Sequence, residues 1–517
     1  MSAAATKAAE RPLRVQKDAR RSVRGACPTL AAPMETGDGL LARLNPVSGG
    51  ILPSTLAAIA EAAARFGNGQ IEVTARGSLQ IRGLTRLTAP LLAEAIDGLD
   101  MNVRTGVPVE TGALSGLDPE EIADPSPLAE RIRQAIAAAG LSARLGPKVS
   151  VVVDGGGRLP LGEVLADVRL EAARRGGAVV WHVAIGGTRE TARGLGFVEI
   201  EAAGSVVMAL LEAIASKGKT GRAKELTDGE LEAALRYLPQ PDRATRSDNQ
   251  SSQAAPPPPS VLPDISPSRG EIGLHGRPAQ SPPLQDRMSG CGQPISPLEG
   301  LEGEMSGRTE GGETRIGGAH FVGPASPITT LSLSDGRTAL GIGLPFGQAT
   351  AAQIVSFADA AMRAGADEIL MAQGRSLLAL CPTAEAAETL REAAAALGFL
   401  TDAADPRRSV VACAGAPACA SGHLRARAIA AEIAALLPSG LDGVVHVSGC
   451  AKQCAKPARA AFTLIGTSDA CEIHHGDGRE GQPIASVAIG DAAAAFGRAA
   501  RLYRNEKKNG KGAATRP

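Results

Sequence analysis

Aromatic side chains are scarce, with eight Phe, two Tyr and one Trp in 517 residues. A core built on stacked rings is thereby excluded, and the interior must be aliphatic. Nor does either charge prevail. Lys plus Arg and Asp plus Glu number 54 each, so no global field draws the chain to nucleic acid or to an anionic membrane, and partner choice must rest on local sites. No stretch approaches the roughly 20 apolar residues of a spanning helix. The basic start, MSAAATKAAERPLRVQKDARRSVRGACP, has no apolar run after Arg20 and Arg21, which argues against a secretory or twin-arginine signal and for a cytoplasmic location. A strand followed by G-x-G-x-x-G is missing as well. GIGLPFG has the wrong spacing, so direct binding of a nicotinamide dinucleotide is not expected.

What the sequence does have is a grouped set of cysteines. Cys27, Cys291, Cys381 and Cys471 are scattered, but Cys413 and Cys419 in VACAGAPACASGH and Cys450 and Cys454 in HVSGCAKQCAKP form C-x5-C followed by C-x3-C. Four thiolates on two short turning segments suit an iron–sulfur cluster. Gly415 and Pro417 bend the first pair, while the spacing of Cys450 and Cys454 predicts one helical turn after a strand ending at Gly449. Structural zinc favours C-x2-4-C pairs and fits the first pair less well. Disulfides would need an oxidising compartment and a framework the other cysteines do not provide. Lys452 and Lys456 flank the second pair, where they balance a cluster's charge or form a solvated face. Cys27 reads as a reactive thiol or a small buried hydrophobe.

The chain is also internally repeated. Gly49–Leu79 lies over Gly347–Leu377 at a constant offset of 298 without a gap, matching Ala60 with Ala358, Arg65 with Arg363, Ile71 with Ile369 and Ser78 with Ser376. Each copy reads as a helix followed by a hairpin. PKVSVVVDGGG and LDGVVHVSGC echo one another as strand plus glycine turn, with cysteine only in the later copy. Between them residues 239–324 turn Pro-, Gly- and Ser-rich and read as a disordered insertion, in which Cys291 and His275 are inert. The expected division is a flexible tail 1–24, a helix-and-hairpin module 25–110, an α/β module 111–238, the insertion, a second helix-and-hairpin module 325–402, a cysteine module 403–505 and a tail 506–517. The fold class is α+β, a tandem duplication forming a pseudo-dimer.

The cysteine set and TARGSLQIRG, similar to a T-x-R-x-x-x-Q-x-[HR]-G strand, resemble the nitrite and sulfite reductase superfamily. Within it, RGACPTLAAPMETGDGLLARL, LSGLDPEEIADPSPLAERI and VVVDGGGRLPLGEVLADVRL are most similar to the precorrin-3B synthase family. The likeness covers most of the chain outside the N-terminal tail and the insertion. It implies ferredoxin-like modules joined to reductase-type iron–sulfur modules, with a [4Fe–4S] cluster on Cys413, Cys419, Cys450 and Cys454 and a mononuclear non-haem iron. It further implies precorrin-3A and O2 as substrates, and an electron donor protein or NADH-linked reductase. Substrate carboxylates call for arginines. Arg76 and Arg82, six apart, share one strand face with Gln80 if the strand is regular. Arg43 in LLARLNPVSGG resembles the R-x-P-G-G arginine, expanded by two residues. Lys148 resembles the first lysine of P-R-K-x-K, whereas Ser150 replaces the second, which in siroheme reductases helps deliver protons to sulfite or nitrite. His423, His446, His474 and His475 are near the cysteines; the last two precede the turn GDG and read as solvent-facing, and no H-x-[DE] pair offers a facial iron site. Two other readings stand: a siroheme-dependent sulfite or nitrite reductase, with siroheme as cofactor, and a non-enzymatic iron–sulfur or zinc protein that binds tetrapyrrole.

Overall fold

The computed structural model describes residues 28–45, 49–99, 101, 103–236, 314–316, 319–321, 326–438, 441, 443–455, 460–478 and 482–513. Cys27, Lys456, His275 and Cys291 lie outside them, as does most of the 239–324 segment.

The architecture is α+β and follows the duplication. In the first half, β1 (Met34–Thr36), β2 (Gly39–Leu44), β3 (Gln70–Val73) and β4 (Leu79–Leu84) form an antiparallel sheet in the order β1-β2-β4-β3. Next come β5 (Val109–Glu110), β6 (Val151–Asp154), β7 (Ala166–Arg175), β8 (Ala178–Gly187) and β9 (Arg193–Val198). There β5, β6 and β7 run parallel, while β8 and β9 return antiparallel. The second half begins with a short hairpin, β10 (Thr314–Ile316) and β11 (Ala319–Phe321), that adds to the edge of β7 at His320 opposite Arg174. The expected disordered insertion is corrected at this end: TRI and AHF flanking Gly-Gly carry a hairpin signal that the surrounding low-complexity composition masked.

A four-stranded sheet then orders β12 (Thr330–Ser332), β13 (Thr338–Gly343), β16 (Ser376–Cys381) and β15 (Glu368–Ala372). One strand, β14 (Gln348–Thr350), crosses to the first half and pairs antiparallel with β3. The last sheet joins β17 (Val410–Ala412), β18 (Val444–Ser448) and β19 (Ala460–Gly466) in parallel, with β20 (Cys471–His475) and β21 (Ala485–Val487) antiparallel. Its strand directions repeat those of β5 to β9.

Packing explains why the copies adhere. Helix Pro53–Phe66 buries Leu56, Ile59, Ala60 and Ala63, and helix Ala351–Arg363 buries Ile354, Phe357, Ala358 and Ala361. These are the same stripe, i, i+3, i+4, i+7, displaced by the repeat offset. The two helices pack on each other over one aliphatic core shared by both hairpin sheets. The alanines keep the helices close, and the larger residues fill the space beside them. The α/β modules have separate cores, one around Trp181 and one around Phe462 and Phe496. Helix Ala492–Ala513 continues eight residues into the expected C-terminal tail, because a helix anchored by a packed stem extends at one hydrogen bond per residue. Among the described residues, no helix is long and apolar enough to cross a membrane.

Candidate functional site

The two cysteine segments meet at the ends of the parallel strands β17 and β18. Cys413 follows β17, and its Sγ accepts a hydrogen bond of 3.0 Å from the N–H of Gly449, which follows β18. A Cβ on Gly449 would stand 2.9 Å from Gly415 Cα and 3.4 Å from that sulfur. Only glycine lets the two loops approach so closely. The bend expected between Cys413 and Cys419 is present, with Gly415 at φ +65°. The helical turn expected for Cys450 to Cys454 is not. This stretch is a pair of turns, because Gln453 takes φ +50° and a left-handed residue cannot continue a right-handed helix.

Three of the thiols are half-buried and Cys454 is exposed. Burial pushes the Cys454 thiol above its ordinary value, and Cys450, Cys413 and Cys419 push the same way against Lys452. Cys454 thus lies within electrostatic reach of the other three sulfurs. Among the described residues, however, no three His, Cys, Asp or Glu side chains are drawn together as a metal-ion site. Lys452 reaches back to the first loop through a 2.8 Å bond to Ser421 Oγ.

Beside the loops, guanidinium groups gather around few acids. Arg82, on β4, is 4% exposed; it forks onto Asp38 at 3.1 and 2.9 Å, lies 3.5 Å from Glu72, and donates to Ala418 O between the first two cysteines. Burial works to raise the Asp38 carboxyl, but its bonds to Arg82 and Thr36 hold it below the usual range. Arg427 pairs with Glu72 at 2.7 Å and bonds Gln348. Gln80, with its amide oriented to satisfy its neighbours, donates to Glu72 at 2.8 Å and accepts from Arg43 at 2.6 and 3.0 Å. Arg375 stands near Arg427, Glu72 and Cys413.

The expectation that Arg76 and Arg82 share a strand face is corrected. Arg76 lies before β4 begins, in the turn closed by Gly77 N–H to Thr74 O at 2.9 Å, where Gly77 takes φ +80°. The period of two stops at that turn. From there Arg76 bonds Leu165 O at 2.6 Å and Ser150 Oγ at 3.5 Å, and it pairs with Glu110 at 3.6 Å. Burial raises the Glu110 carboxyl, opposed by Arg76, Arg104 and Arg43. Arg43 therefore links both groups of cations. Lys148 is exposed in the turn before β6.

The histidines are spread over the cysteine module. His423 N–H bonds Gly449 O at 2.7 Å. His446 is fully buried on β18, in register with Thr463, which in turn faces His474 on β20. His474 is buried, not solvent-facing: it lies on the face of β20 opposite Ile473, in register with the fully buried Thr463 of β19. Its Nε2 lies 3.3 Å from Glu472. His475 is the exposed one, 4.9 Å from the Phe462 ring.

Sequence reading missed Asp38, Glu72, Arg375 and Arg427. A signal existed for one of them: at the repeat offset, Arg375 occupies the place of Gly77.

The model of the nitrite/sulfite reductase ferredoxin-like half domain matches residues 32–98. A precorrin-3B synthase of Sinorhizobium sp is 33% identical over 494 residues, covering 95% of this chain and 91% of that protein. Among solved structures, the Mycobacterium tuberculosis NirA protein aligns with a TM-score of 0.61 and 16% identity over 89% of this chain and 80% of its own, a likeness of fold.

Proposed function

The chain belongs to the precorrin-3B synthase family of the nitrite and sulfite reductase superfamily, and from that premise we propose that it is an oxidoreductase converting precorrin-3A to precorrin-3B in aerobic cobalamin biosynthesis. In this reaction O2 delivers one oxygen atom to C20 of the macrocycle, and the other leaves as water. Two electrons come from a donor protein or an NADH-linked reductase. The ring A acetate closes to a γ-lactone. The observation that carries the reading is the meeting of the four-thiol loops with a guanidinium cluster at one junction.

The donor set fits a thiolate-held iron–sulfur cluster. It consists of sulfur alone, on two loops packed too tightly for a side chain at Gly449, and the Cys454 thiol, which burial and the neighbouring cysteines push up, would be deprotonated on binding iron. Cys413, Cys419, Cys450 and Cys454 would hold the group, which supplies electrons one at a time when bound. No three suitable side chains assemble a 2-His-1-carboxylate set for the implied mononuclear iron among the described residues.

The remaining work belongs to the chain. Arg43, held by Gln80, Arg76 at the mouth between modules, and exposed Lys148 are the proposed partners of substrate carboxylates, which they bind and orient. Gln80 positions Arg43. Arg82 serves differently: its donors are engaged by Asp38, Glu72 and Ala418, so it fastens the Cys413–Cys419 loop to the hairpin sheet. Ser150, where siroheme reductases carry a proton-delivering lysine, bonds Arg76 and removes that proton source.

The test is turnover of precorrin-3A under isotopically labelled O2 by anaerobically purified protein, read as product mass. The expected product gains one labelled oxygen atom. Tight binding without added oxygen overturns the synthase reading in favour of a carrier, and a strong Soret band in the isolated protein overturns it in favour of a siroheme reductase.

A further inference from the structure

The two repeat copies differ at one turn. Gly77 and Arg375 are equivalent residues in the hairpins of the two halves, and both have left-handed backbone, φ +80° and φ +65°. For glycine this costs nothing; for arginine it is strained. Such strain persists where the surroundings enforce it, and it concentrates at ligand sites.

Three further observations say what the surroundings do. The Arg375 stem runs through the space above Gly347, where a Cβ would stand 2.6 Å from its Cδ and 3.1 Å from its Nε. Its backbone is fixed by the bond from Leu344 N–H to Arg375 O, 3.1 Å, and by that from Gly374 N–H to Ala75 O, 3.0 Å, in the opposite hairpin. The side chain therefore enters the junction between copies over Gly347, within electrostatic reach of Arg427, Glu72 and Cys413. Glu72 is already taken there by Arg427 at 2.7 Å and Arg82 at 3.5 Å. Among the described residues, the Arg375 side chain makes no hydrogen bond or ion pair of its own, and it is only half-buried. Arg82 and Arg427 thus share Asp38 and Glu72 while Arg43 is held by Gln80, which leaves the Arg375 guanidinium as the one of these four with its donors unengaged among the described residues.

We infer that Arg375 is a substrate-positioning residue whose guanidinium receives a carboxylate of the bound tetrapyrrole beside Cys413. This rests on the tetrapyrrole reading above. A planar fork suits a carboxylate and stays charged in a half-buried site. Glycine at this turn, as in the first copy, would relax the backbone and leave the acid side chain of the substrate without its partner.

The experiment measures binding, not turnover, with uroporphyrin as a stable polycarboxylate macrocycle titrated into the full-length protein, alongside thermal melting of each variant. Arg375→Gly is expected to melt at or above the wild-type temperature yet bind the probe about tenfold more weakly, the scale of one charge-assisted hydrogen bond. Arg375→Lys keeps the charge and the strain, and should lose only about threefold in affinity, since an ammonium lacks the fork but retains the attraction. Arg86→Gln, on the exposed pair with Glu35, should bind as wild type does. If Arg375→Gly binds the probe as tightly as wild type, the inference falls while the proposed function stands; that includes the case in which only the redox midpoint of the cluster moves. A wild-type protein that binds no macrocycle overturns both.

Discussion

The α/β module around Trp181 and the one around Phe462 share their strand directions and differ in what they place where the middle parallel strand ends. In the first, Asp154 closes β6: it accepts from Gly156 N–H at 3.0 Å and Leu161 N–H at 2.7 Å, and faces Arg189 at 3.4 Å. Its register partner Glu171 binds Arg189 at 3.0 Å and Arg169 at 2.7 Å. Arg169, 1% exposed, also donates to the carbonyls of Leu161, Gly162 and Val164. In the second, β18 ends in Ser448, bonded to Cys450 O at 2.7 Å, and Gly449, bonded to a cysteine sulfur. A loop tied by buried charges to its own carboxylates is complete without a ligand. A loop of thiols leaves its donors free for one. The duplication kept the scaffold and changed the loop chemistry, buried ion pairs in one copy and thiols in the other.

The strongest way to break this comparison is to disturb both loops in metal-free protein. Arg169→Met takes a donor from three carbonyls and leaves Glu171 with Arg189 as its remaining partner, so we expect it to cost about 3 kcal/mol or more, the scale of several buried acceptors losing their donor. Cys450→Ser should cost about 1 kcal/mol or less, because its side chain closes nothing. The chain's single tryptophan, buried in the first module, reports the first change in a urea titration, and far-UV circular dichroism reports the second. Equal costs would sink the contrast.

A pH titration sharpens it. Burial, then Arg189 and Arg169, push the His182 imidazole down to about 4. Above the unfolded value near 6.5 the ring is neutral in both states and its contribution is full. As pH falls through 6.5 the unfolded chain gains the proton and the folded one does not, so stability drains until about pH 4, where both are charged. The span corresponds to roughly 3 kcal/mol. Unfolding midpoints followed by Trp181 fluorescence should therefore fall between pH 6.5 and 4 in wild type, and fall less in His182→Gln. A variant with the same slope as wild type would remove the histidine from the account.

How much of this was legible in the residues depends on range. The repeat offset, the helix stripes Leu56 to Ala63 and Ile354 to Ala361, and the cysteine pairs are local patterns, and periodicity exposes them. GFVEIEA alternates as one strand would, yet β9 stops at Val198 and helix Ile200–Ser216 begins after Glu199, because an alternating run does not reveal which residue turns. Arg82 illustrates the deeper limit. Its neighbours Asp38 and Ala418 are 44 and 336 residues away, so no window on the sequence could show that a cation suited to a substrate was already bound. Arg375 was invisible singly and becomes visible only when laid over Gly77.

The smallest predicted effect tests whether the copies remain interchangeable where no site intervenes. Thr350 caps helix Ala351–Arg363: its Oγ1 accepts from Gln353 N–H at 3.2 Å, and Gln353 Oε1 accepts from Thr350 N–H at 2.9 Å. At the repeat offset the first copy has Leu52, with no side-chain cap and Pro53 at the first helical position. Thr350→Ala should therefore cost about 1 kcal/mol, while Leu52→Ala should cost less, since proline has already removed one unsatisfied N–H. Leu52 has the extended backbone a cap requires, φ −60° and ψ 147°, and is 59% exposed. Leu52→Thr should then gain about 0.5 kcal/mol or more, read as a rise in melting temperature by circular dichroism. A gain would mean that the two helices still obey one set of rules and have diverged only in chemistry at their ends; a loss would mean that Leu52 now does work in packing that the second copy never needed.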